Sequence, residues 1–458
     1  GGAGAGAGAG GAPRVWRPGV DGMDEGEELT YDRTAYLCNE SFSLTWPALS
    51  FDVVRDGWGD DRREFPLSLT LAAGTQADAA ESNFVCAVGL LGVNQGKHGP
   101  RPGGAASDSD SDSESSSEDE DGGEGEGGAA AGGARGGGRM RFRCKKVPHQ
   151  GGVNRVRAML QRPGVVAAWG DSGVVSVYDL AALYEEIAAD ASPEQSSSVV
   201  RKIPPRHTCK HREEGYALDW SPAEEGRLLS GDCAGTIQLS EPGAGGRWRV
   251  EREAFHGHGG SVEDLQWSPS EPSVFASCGV DGTVRVWDAR QRMGPAITVQ
   301  AHEQDVNVIS WNRLTSCMLA SGSDDGSFKI WDLRNFQAAG SHVAHLTYHR
   351  GPVTSIEWCP HDEAMLATAS EDNQLAVWDL SVERDAEEEE RERLQQQTEV
   401  RQADEIPPQL MFLHMGQQDM KELHWHPQVP GMLISTARDF NVFKPTNLDS
   451  DHGRMALE

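Results

Sequence analysis

The sequence predicts an all-β fold, a seven-bladed β-propeller, in which small antiparallel sheets form a closed ring. Two observations carry this prediction. Trp-Asp pairs recur at intervals of 44 and 47 residues, and the residues before each pair alternate between apolar and polar, as in a half-buried strand. Such an array replaces the two or three separate domains that a chain of 458 residues would otherwise suggest. The pairs are Trp287-Asp288, Trp331-Asp332 and Trp378-Asp379.

Each repeat carries further residues at fixed distances from its first His. A Trp follows this His after 9 residues, a Ser or Thr after 19, an Asp after 23 and the Trp of the pair after 29. These positions resemble the structural tetrad of the WD-repeat family, in which buried polar side chains satisfy one another's hydrogen bonds. The predicted tetrads are His258, Ser277, Asp281 and Trp287; His302, Ser321, Asp325 and Trp331; and His349, Thr368, Asp372 and Trp378.

The same residue types could form a Ser-His-Asp catalytic set or a metal site. A catalytic or metal site is needed once, however, whereas this set recurs three times at a fixed period, which favours the structural interpretation. No phosphate-binding glycine loop, nucleophile elbow or metal-ligand spacing stands out elsewhere in the sequence. The sequence therefore predicts a protein that is not an enzyme, with no catalytic residues, no bound metal and no cofactor.

Three weaker copies flank the central repeats. They begin near His149, His211 and Gly416, the last of which stands where the His is expected. In the second weak copy, Ala234 and Ser240 occupy the positions of the Asp and the Trp. Weak tetrads of this kind predict looser blades than those formed by the three central repeats.

The seventh blade is predicted from the N-terminal part, where segments 44–54, 65–73 and 84–93 look like strands. An N-terminal strand is expected to complete the last blade, which closes the ring and removes exposed sheet edges. Composition sets the other boundaries. We expect a disordered tail at 1–26, the N-terminal segment and closing-blade strands at 27–98, a disordered acidic and Gly-rich insertion at 99–139, the propeller at 140–447 with an acidic insertion at 383–405, and a tail at 448–458.

The net charge of the chain is −30, from 41 basic and 71 acidic residues. Such a charge opposes direct binding to nucleic acid or to an anionic membrane and favours basic partners. The eight cysteines are isolated, without a Cys-x-x-Cys pair, which indicates reduced thiols in a nuclear or cytosolic protein. Basic residues cluster between Arg135 and Lys146, a segment that either serves as a nuclear-localisation signal or flanks a strand.

By resemblance to WD propellers generally, three positions in each repeat face the narrow top of the ring, where partners dock. Across six repeats, seven of these eighteen positions are acidic, whereas the whole chain has 71 acidic residues in 458. We therefore expect a basic protein to bind this face. The predicted partner-binding residues are Asp171, Glu214, Tyr216, Glu263, Asp305, Asn307, Asp324, Glu371 and Asp419.

Several segments carry a more specific resemblance. Residues 15–20, 27–54, 65–67, 73–77 and 148–155 resemble glutamate-rich WD-repeat proteins, a family whose yeast member regulates ribosome biogenesis. The resemblance covers nearly the whole chain. It implies a non-catalytic binding platform of the nucleus and nucleolus, with the cytoplasm as a further compartment. It also implies work on pre-ribosomal particles and chaperoning of a very basic large-subunit ribosomal protein.

Two alternative functions follow from wider resemblances. Segments 44–49 and 406–412 resemble those of the histone-binding WD proteins of chromatin assembly factors. This resemblance implies histones as alternative clients, although no long amphipathic pattern precedes residue 46, as it does in those proteins. The implied side groove contains Trp46, Pro47, Pro407 and Pro408.

The segments Trp287–Arg290 and Trp331–Arg334 resemble the Trp-Asp-x-Arg box of substrate receptors of cullin-type ubiquitin ligases. This resemblance implies an adaptor of such a ligase as a further alternative partner. Ordinary variation after the Trp-Asp pair is the interpretation that we favour for both segments.

Overall fold

The computed structural model describes residues 32–96, 140–189, 199–243, 245, 247–336, 340–382 and 407–448. Within these residues, seven antiparallel sheets form a ring, which confirms the predicted propeller. The predicted tail at 1–26, the insertions at 99–139 and 383–405, and residues 449–458 of the predicted C-terminal tail lie outside the described residues.

Each blade has four main strands, which follow one another from the ring axis outward. Blade 1 contains β2 (Ser50–Val53), β3 (Leu67–Gly74), β4 (Asn83–Val93) and β5 (Arg141–His149), with β9 (Val199–Val200) parallel to β5. Blade 2 contains β6 (Val153–Ala158), β7 (Val165–Gly170), β8 (Val174–Asp179) and β10 (His207–Lys210). Blade 3 contains β11 (Ala217–Trp220), β12 (Leu228–Gly231), β13 (Thr236–Pro242), β14 (Trp248–Val250) and β15 (Phe255–His256).

The remaining blades follow the same order. Blade 4 contains β16 (Val262–Trp267), β17 (Val274–Gly279), β18 (Thr283–Asp288) and β19 (Ile297–Gln300). Blade 5 contains β20 (Val306–Trp311), β21 (Met318–Ser323), β22 (Ser327–Asp332) and β23 (His342–Thr347). Blade 6 contains β24 (Val353–Trp358), β25 (Met365–Ser370), β26 (Leu375–Asp379) and β27 (Leu410–His414). Blade 7 contains β28 (Glu422–Trp425), β29 (Leu433–Thr436), β30 (Phe440–Pro445) and β1 (Tyr36–Phe42).

Helical structure among the described residues is confined to short segments. The α-helix α1 (Ala181–Ala189) lies between β8 and β9 and packs on blade 1. Single 3₁₀ turns occur at Arg33–Ala35, Ala80–Ser82, Leu333–Asn335 and Thr446–Leu448.

Strands in the middle of a blade are apolar on both faces because each blade packs between two neighbours. In β4, Cys86, Val88 and Leu90 belong to the cluster shared with blade 7. Val85 and Ala87, which alternate with them, belong to the cluster shared with blade 2. A sheet buried on both faces loses the usual alternation of apolar and polar residues, which explains the continuous apolar run at 84–93.

The ring is closed by β1, which pairs antiparallel with β30. Tyr36 lies opposite Pro445 and Phe42 opposite Phe440, where the two phenyl rings stack at 4.7 Å. An N-terminal strand was expected to complete the last blade, and the segment that does so is β1. The strand-like segments predicted at 44–54, 65–73 and 84–93 instead supply the first three strands of blade 1, and only Ser50–Val53 of segment 44–54 is a strand.

Inner strands are also tied to one another by side chains that accept a backbone N–H from the next blade. The Asp52 carboxylate accepts from Ala158 at 2.7 Å, and the Glu422 carboxylate accepts from Phe51 at 2.8 Å across the closing seam. Such buried acceptors are satisfied only when the neighbouring blade is in register. Equivalent bonds run from Trp267 to Asp219, Ile309 to Asp264, Trp358 to Ser310 and Trp425 to Glu357.

The tetrad side chains of blades 4 and 6 form continuous hydrogen-bonded chains. In blade 4, the Trp287 indole donates to the Ser277 hydroxyl at 2.8 Å, which lies 2.7 Å from His258 Nε2. His258 Nδ1 lies 3.0 Å from the Asp281 carboxylate. Blade 6 repeats the arrangement with Trp378, Thr368, His349 and Asp372.

Blade 5 keeps only part of this chain. Trp331 donates to Ser321 at 2.9 Å, and Ser321 lies 2.9 Å from His302. The Asp325 carboxylate, however, is 4.0 Å from His302 Nδ1, beyond hydrogen-bond distance. The Ser327 hydroxyl lies nearer to the same nitrogen, at 3.4 Å.

Two of the weaker copies contain polar chains that the sequence offsets do not locate. In blade 3, His211 bonds to Ser230 at 2.7 Å and to Asp232 at 3.1 Å, so the acidic residue is two positions before the predicted Ala234. Blade 7 replaces the imidazole with the carboxamide of Gln417, which accepts from the Ser435 hydroxyl and donates to the Asp439 carbonyl. These blades are therefore less degenerate than their sequences indicate.

The basic segment up to Lys146 is described from Met140 onward, and residues 141–149 form β5. Its Arg143 is fully buried, and Lys145 and Lys146 are also buried. A receptor for a nuclear-localisation signal reads exposed basic side chains, so this part of the segment is a strand and not an accessible signal.

We expect Asp281→Ala to lower the free energy of unfolding by about 1–3 kcal/mol, because it leaves His258 Nδ1 and the Gly259 and Thr283 amides without their acceptor. Asp325→Ala is the matched control, since Asp325 accepts from the Ser327 amide but lies too far from His302, and should show less than half that loss. Urea unfolding of both variants at pH 7 measures the difference. Equal losses would contradict the tetrad geometry.

Candidate functional site

The predicted partner-binding residues lie on one face of the ring, which we call the acidic face. They occupy the starts of inner strands, as Asp305 does before β20, and the hairpins between the second and third strands, as Asp324 does after β21. Both kinds of position lie at the same end of every blade because adjacent strands are antiparallel.

Carboxylates from three adjacent blades influence one another on this face. Burial, and then the Asp305 carboxylate, raise the pKa of Glu263, although Arg155 opposes the shift. Burial and the Asp324 carboxylate raise the pKa of Asp305. A carboxyl group whose pKa is raised by a like charge is stabilised when a cation approaches, so this run of carboxylates favours a positively charged ligand.

Aromatic and carboxamide side chains belong to the same surface. Burial, Glu214 and Glu263 raise the pKa of the half-buried Tyr216, which places its ring between two acidic groups. Asn307 donates to Asp324 at 2.7 Å and to the Val353 carbonyl at 3.2 Å, which fixes the Asp324 carboxylate.

A second carboxamide pair holds Glu214. Asn154 donates to its carboxylate at 3.2 Å, and the Gln76 side chain of blade 1 donates to Asn154 at 3.0 Å. The backbone amide of Gln76 also donates to the Pro47 carbonyl at 2.8 Å. Sequence reasoning missed Gln76 because blade 1 does not carry the repeat offsets from which the other positions were read.

The remaining predicted residues surround this run. Asp171 and Glu371 are exposed, and the Asp171 carboxylate accepts the Gly152 amide at 2.9 Å. Asp419 is exposed but pairs with Lys421 at 2.8 Å. Because blade 7 also presents the exposed Arg438, the acidic face is strongly negative on blades 3 to 5 and mixed in charge on blade 7.

The predicted side-groove residues occupy two different places. Trp46, which is 38% exposed, and Pro47 lie in the loop after β1, next to the acidic face through the Gln76 bond. Pro407 and Pro408 precede β27 on the outer edge of blade 6. They lie at the opposite end of that blade from the acidic face, because β27 runs from them back toward it.

Both Trp-Asp-x-Arg segments present an arginine to solvent. Arg290 pairs with Asp288 at 2.7 Å and Arg334 pairs with Asp332 at 2.6 Å, while about three-quarters of each arginine side chain is exposed. The Asp of each pair therefore positions the guanidinium two residues later on the outer surface of blades 4 and 5.

The channel along the ring axis is lined with opposite charges. Arg155 and Arg157 both pair with Glu422, at 2.8 and 2.9 Å, and so join blade 2 to blade 7. Burial would raise the pKa of Glu422, but Arg157 and His424 hold it well below its usual range. Burial would lower the pKa of His424, but Glu357 and Glu422 raise it to about 10, so His424 is a cation at neutral pH.

Comparison with known proteins places these features in a family. The WD domain, G-beta repeat, matches residues 249–288, 294–332 and 340–379, which contain blades 4 to 6. Residues 26–90 match the family of the histone-binding protein RBBP4, which also describes a subunit of the CAF1 complex. The glutamate-rich WD repeat-containing protein 1 of Dictyostelium discoideum is 47% identical over 443 residues, which cover 95% of this chain and 86% of the relative. The chain belongs to the glutamate-rich WD-repeat protein family.

Two further relatives extend over similar lengths. Protein HEAT STRESS TOLERANT DWD 1 of Arabidopsis thaliana is 47% identical over 442 residues, covering 95% of this chain and 92% of the relative. Ribosome assembly protein rrb1 of Schizosaccharomyces pombe is 37% identical over 440 residues, covering 94% and 84%. This member of the glutamate-rich WD-repeat family therefore aligns with its relatives across the propeller and not only across the repeats.

Neither a metal centre nor a membrane span emerges from the part of this family member that the structure describes. Within those residues, no group of three or more His, Cys, Asp or Glu side chains is arranged to hold a metal ion. No helix among them is long and apolar enough to cross a membrane.

We expect Asp219→Asn to stabilise the protein at pH 8.5 relative to the parent chain, by about 1–3 kcal/mol, and to have little effect at pH 5. Desolvation in the channel wall raises the pKa of Asp219 to about 7, above its unfolded value, so its contribution to stability is lost as pH rises through 7. Asparagine stays neutral and keeps an acceptor for the Trp267 amide. Thermal unfolding at both pH values measures the effect, and stabilisation that does not depend on pH would contradict it.

Proposed function

We propose that this protein is a non-catalytic binding platform in ribosome assembly that holds a basic large-subunit ribosomal protein on its acidic face. The proposal places it on pre-ribosomal particles in the nucleus and nucleolus. The relative from Schizosaccharomyces pombe, which aligns over 94% of this chain, is named a ribosome assembly protein. The observation that carries the proposal is the run of carboxylates from Glu214 through Glu263 and Asp305 to Asp324 across blades 3 to 5.

The geometry of this run suits a flexible segment rich in Lys and Arg. The carboxylates lie on rigid strand ends and hairpins, and Asn307 and Asn154 hold two of them in place. Preorganised acceptors do not have to be reoriented when a cation binds, which reduces the entropy lost on association. Complementary charge also accelerates encounter and excludes acidic competitors.

A chaperone of this kind protects its client by occupying the client's cationic side chains. A free ribosomal protein of high positive charge binds nucleic acid without regard to sequence through its phosphates. The net charge of −30 on this chain competes with that non-specific binding. Ribosomal RNA, which offers denser negative charge and a fitting binding site, would then displace the platform and release the client.

Histone chaperoning is a second candidate function, supported by the match of residues 26–90 to the histone-binding family model. Histones are also basic, so the acidic face suits them on charge alone. A cullin-ligase adaptor is a third candidate partner, supported by the exposed Arg290 and Arg334.

Affinity capture from a nuclear extract depleted of ribosomes distinguishes these functions. We expect the full chain to enrich one basic large-subunit ribosomal protein in stoichiometric amount at moderate salt. Enrichment of core histones would favour the second function, and enrichment of a cullin adaptor the third. Turnover of a small substrate by the purified protein would contradict a non-catalytic role.

We expect the triple variant Asp305→Lys, Asp324→Lys, Glu371→Lys to bind the captured client at least about tenfold more weakly, because charge reversal at a rim replaces attraction with repulsion. The loss should shrink as salt is raised. The control variant, Glu185→Lys, Glu224→Lys, Glu271→Lys, makes the same charge change at exposed positions away from the acidic face. Titration by fluorescence anisotropy measures both affinities, and equal losses would contradict binding on the acidic face.

A further inference from the structure

The loop between β2 and β3, residues 54–66, lies on the opposite face of the ring from the acidic residues. It follows the end of an inner strand, whereas the acidic face contains the starts of inner strands. The loop has no helix or strand of its own. Long irregular connections of this kind are uncommon in compact domains and are frequently functional.

The loop is nevertheless held in one conformation. The Gln428 carboxamide of blade 7 accepts the Asp56 amide at 2.9 Å and donates to the carbonyls of Asp56 and Gly59 at 3.1 and 3.2 Å. Arg62 donates to the Asp56 carboxylate at 2.8 Å and to the Ser68 carbonyl at 2.7 Å. This ion pair is largely buried, with side-chain exposures of 13% and 5%, so the base of the loop is fixed to the propeller.

The fixed loop presents an aromatic ring to solvent. Trp58 is 40% exposed, and the Arg62 guanidinium lies 5.8 Å from its ring centroid. Beside the ring is a groove of about 630 Å³. Its lining includes Trp58, Pro66 and Leu67, together with Asp60, Asp61 and Glu64.

The carboxylates of this groove are available to a ligand. Asp60 and Asp61 are each 67% exposed and pair with Arg55 and Arg63 at the surface. Surface pairs of this kind contribute only about 0–1 kcal/mol, so a partner's cation can replace either arginine. Glu64 is exposed as well and adds a further negative charge.

We propose that this groove binds an extended, basic segment of a protein partner by laying a Lys or Arg side chain against Trp58. The alkyl part of such a side chain covers indole and proline surface, and its cationic end reaches the carboxylates at the rim. Tryptophan is the side chain that attracts cations most strongly through its ring, and Arg62 occupies such a position beside Trp58. This site is separate from the acidic face and does not depend on the proposed function.

The test follows Trp58 directly in the full chain labelled with 5-fluorotryptophan. The chain has 13 tryptophans, and the ¹⁹F resonance that is lost in Trp58→Phe identifies residue 58. The probe is the acetylated, amidated peptide Gly-Arg-Gly-Arg-Gly, with Gly-Glu-Gly-Glu-Gly as its charge control. We expect a saturable shift of the Trp58 resonance with the arginine peptide and none with the glutamate peptide.

A variant neutralised at the rim, Asp60→Asn, Asp61→Asn, Glu64→Gln, should weaken the peptide at least about threefold as judged by the Trp58 shift, since three carboxylates are removed. The control Met293→Ala removes a fully exposed apolar side chain from the turn after β18 and should leave the titration unchanged. Unchanged positions of the other ¹⁹F resonances report that each variant is folded.

Three results would overturn the proposal. The first is a Trp58 resonance that stays fixed while the arginine peptide shifts others. The second is a resonance that responds to protein concentration and not to peptide, which would assign the groove to a second copy of the chain. The third is a ring that a soluble paramagnetic agent fails to reach, which would show that another part of the chain already covers it.

Discussion

Pairing of β1 with β30 joins the first described strand of the chain to the last, and every blade depends on that closure. Without it, blade 7 would lack its outer strand, and the apolar faces of blades 7 and 1 would lose the packing that covers them. The cluster at this seam contains Phe42 from β1, Leu69 and Cys86 from blade 1, and Ile434 and Val442 from blade 7. Closure thus buries apolar surface that an open array would expose.

Closure also gives the functional surface its shape. Inner-strand side chains such as Asp52 and Glu422 can accept a neighbouring amide only when all seven blades are in register. The same register brings Glu263 of blade 4 close enough to Asp305 of blade 5 for their charges to interact. The acidic face is therefore a property of the ring, since each blade supplies only one or two of its carboxylates.

Repetition explains how much of this could be predicted from the sequence. The spacing from His258 to Trp287 is set by strand and hairpin lengths, so counting located three blades and, through them, the positions on the acidic face. The same counting placed Ala234 where blade 3 uses Asp232, because a shift of two residues in a hairpin leaves the hydrogen bond intact. It could not identify Gln417, because a carboxamide fills the place of an imidazole only in the folded blade.

Contacts between distant segments gave no local signal. The helix α1 and strand β9 leave blade 2 and return to blade 1, where Ile187 packs beside Gly89 and β9 pairs in parallel with β5. Parallel pairing depends on a partner far away in sequence, and the short apolar pattern of α1 does not specify that partner. The bonds from Gln76 to Asn154 and from Gln428 to Asp56 likewise depend on which blades become neighbours.

Zero-length carbodiimide cross-linking of the client complex, read by mass spectrometry, tests the central claim most directly. The reagent joins a carboxylate to a lysine amine only where the two are in contact. The acidic face predicts that client lysines are joined to Glu214, Glu263, Asp305 and Asp324. Cross-links confined to the acidic insertion at 99–139, or to carboxylates on the opposite face of the ring, would contradict it.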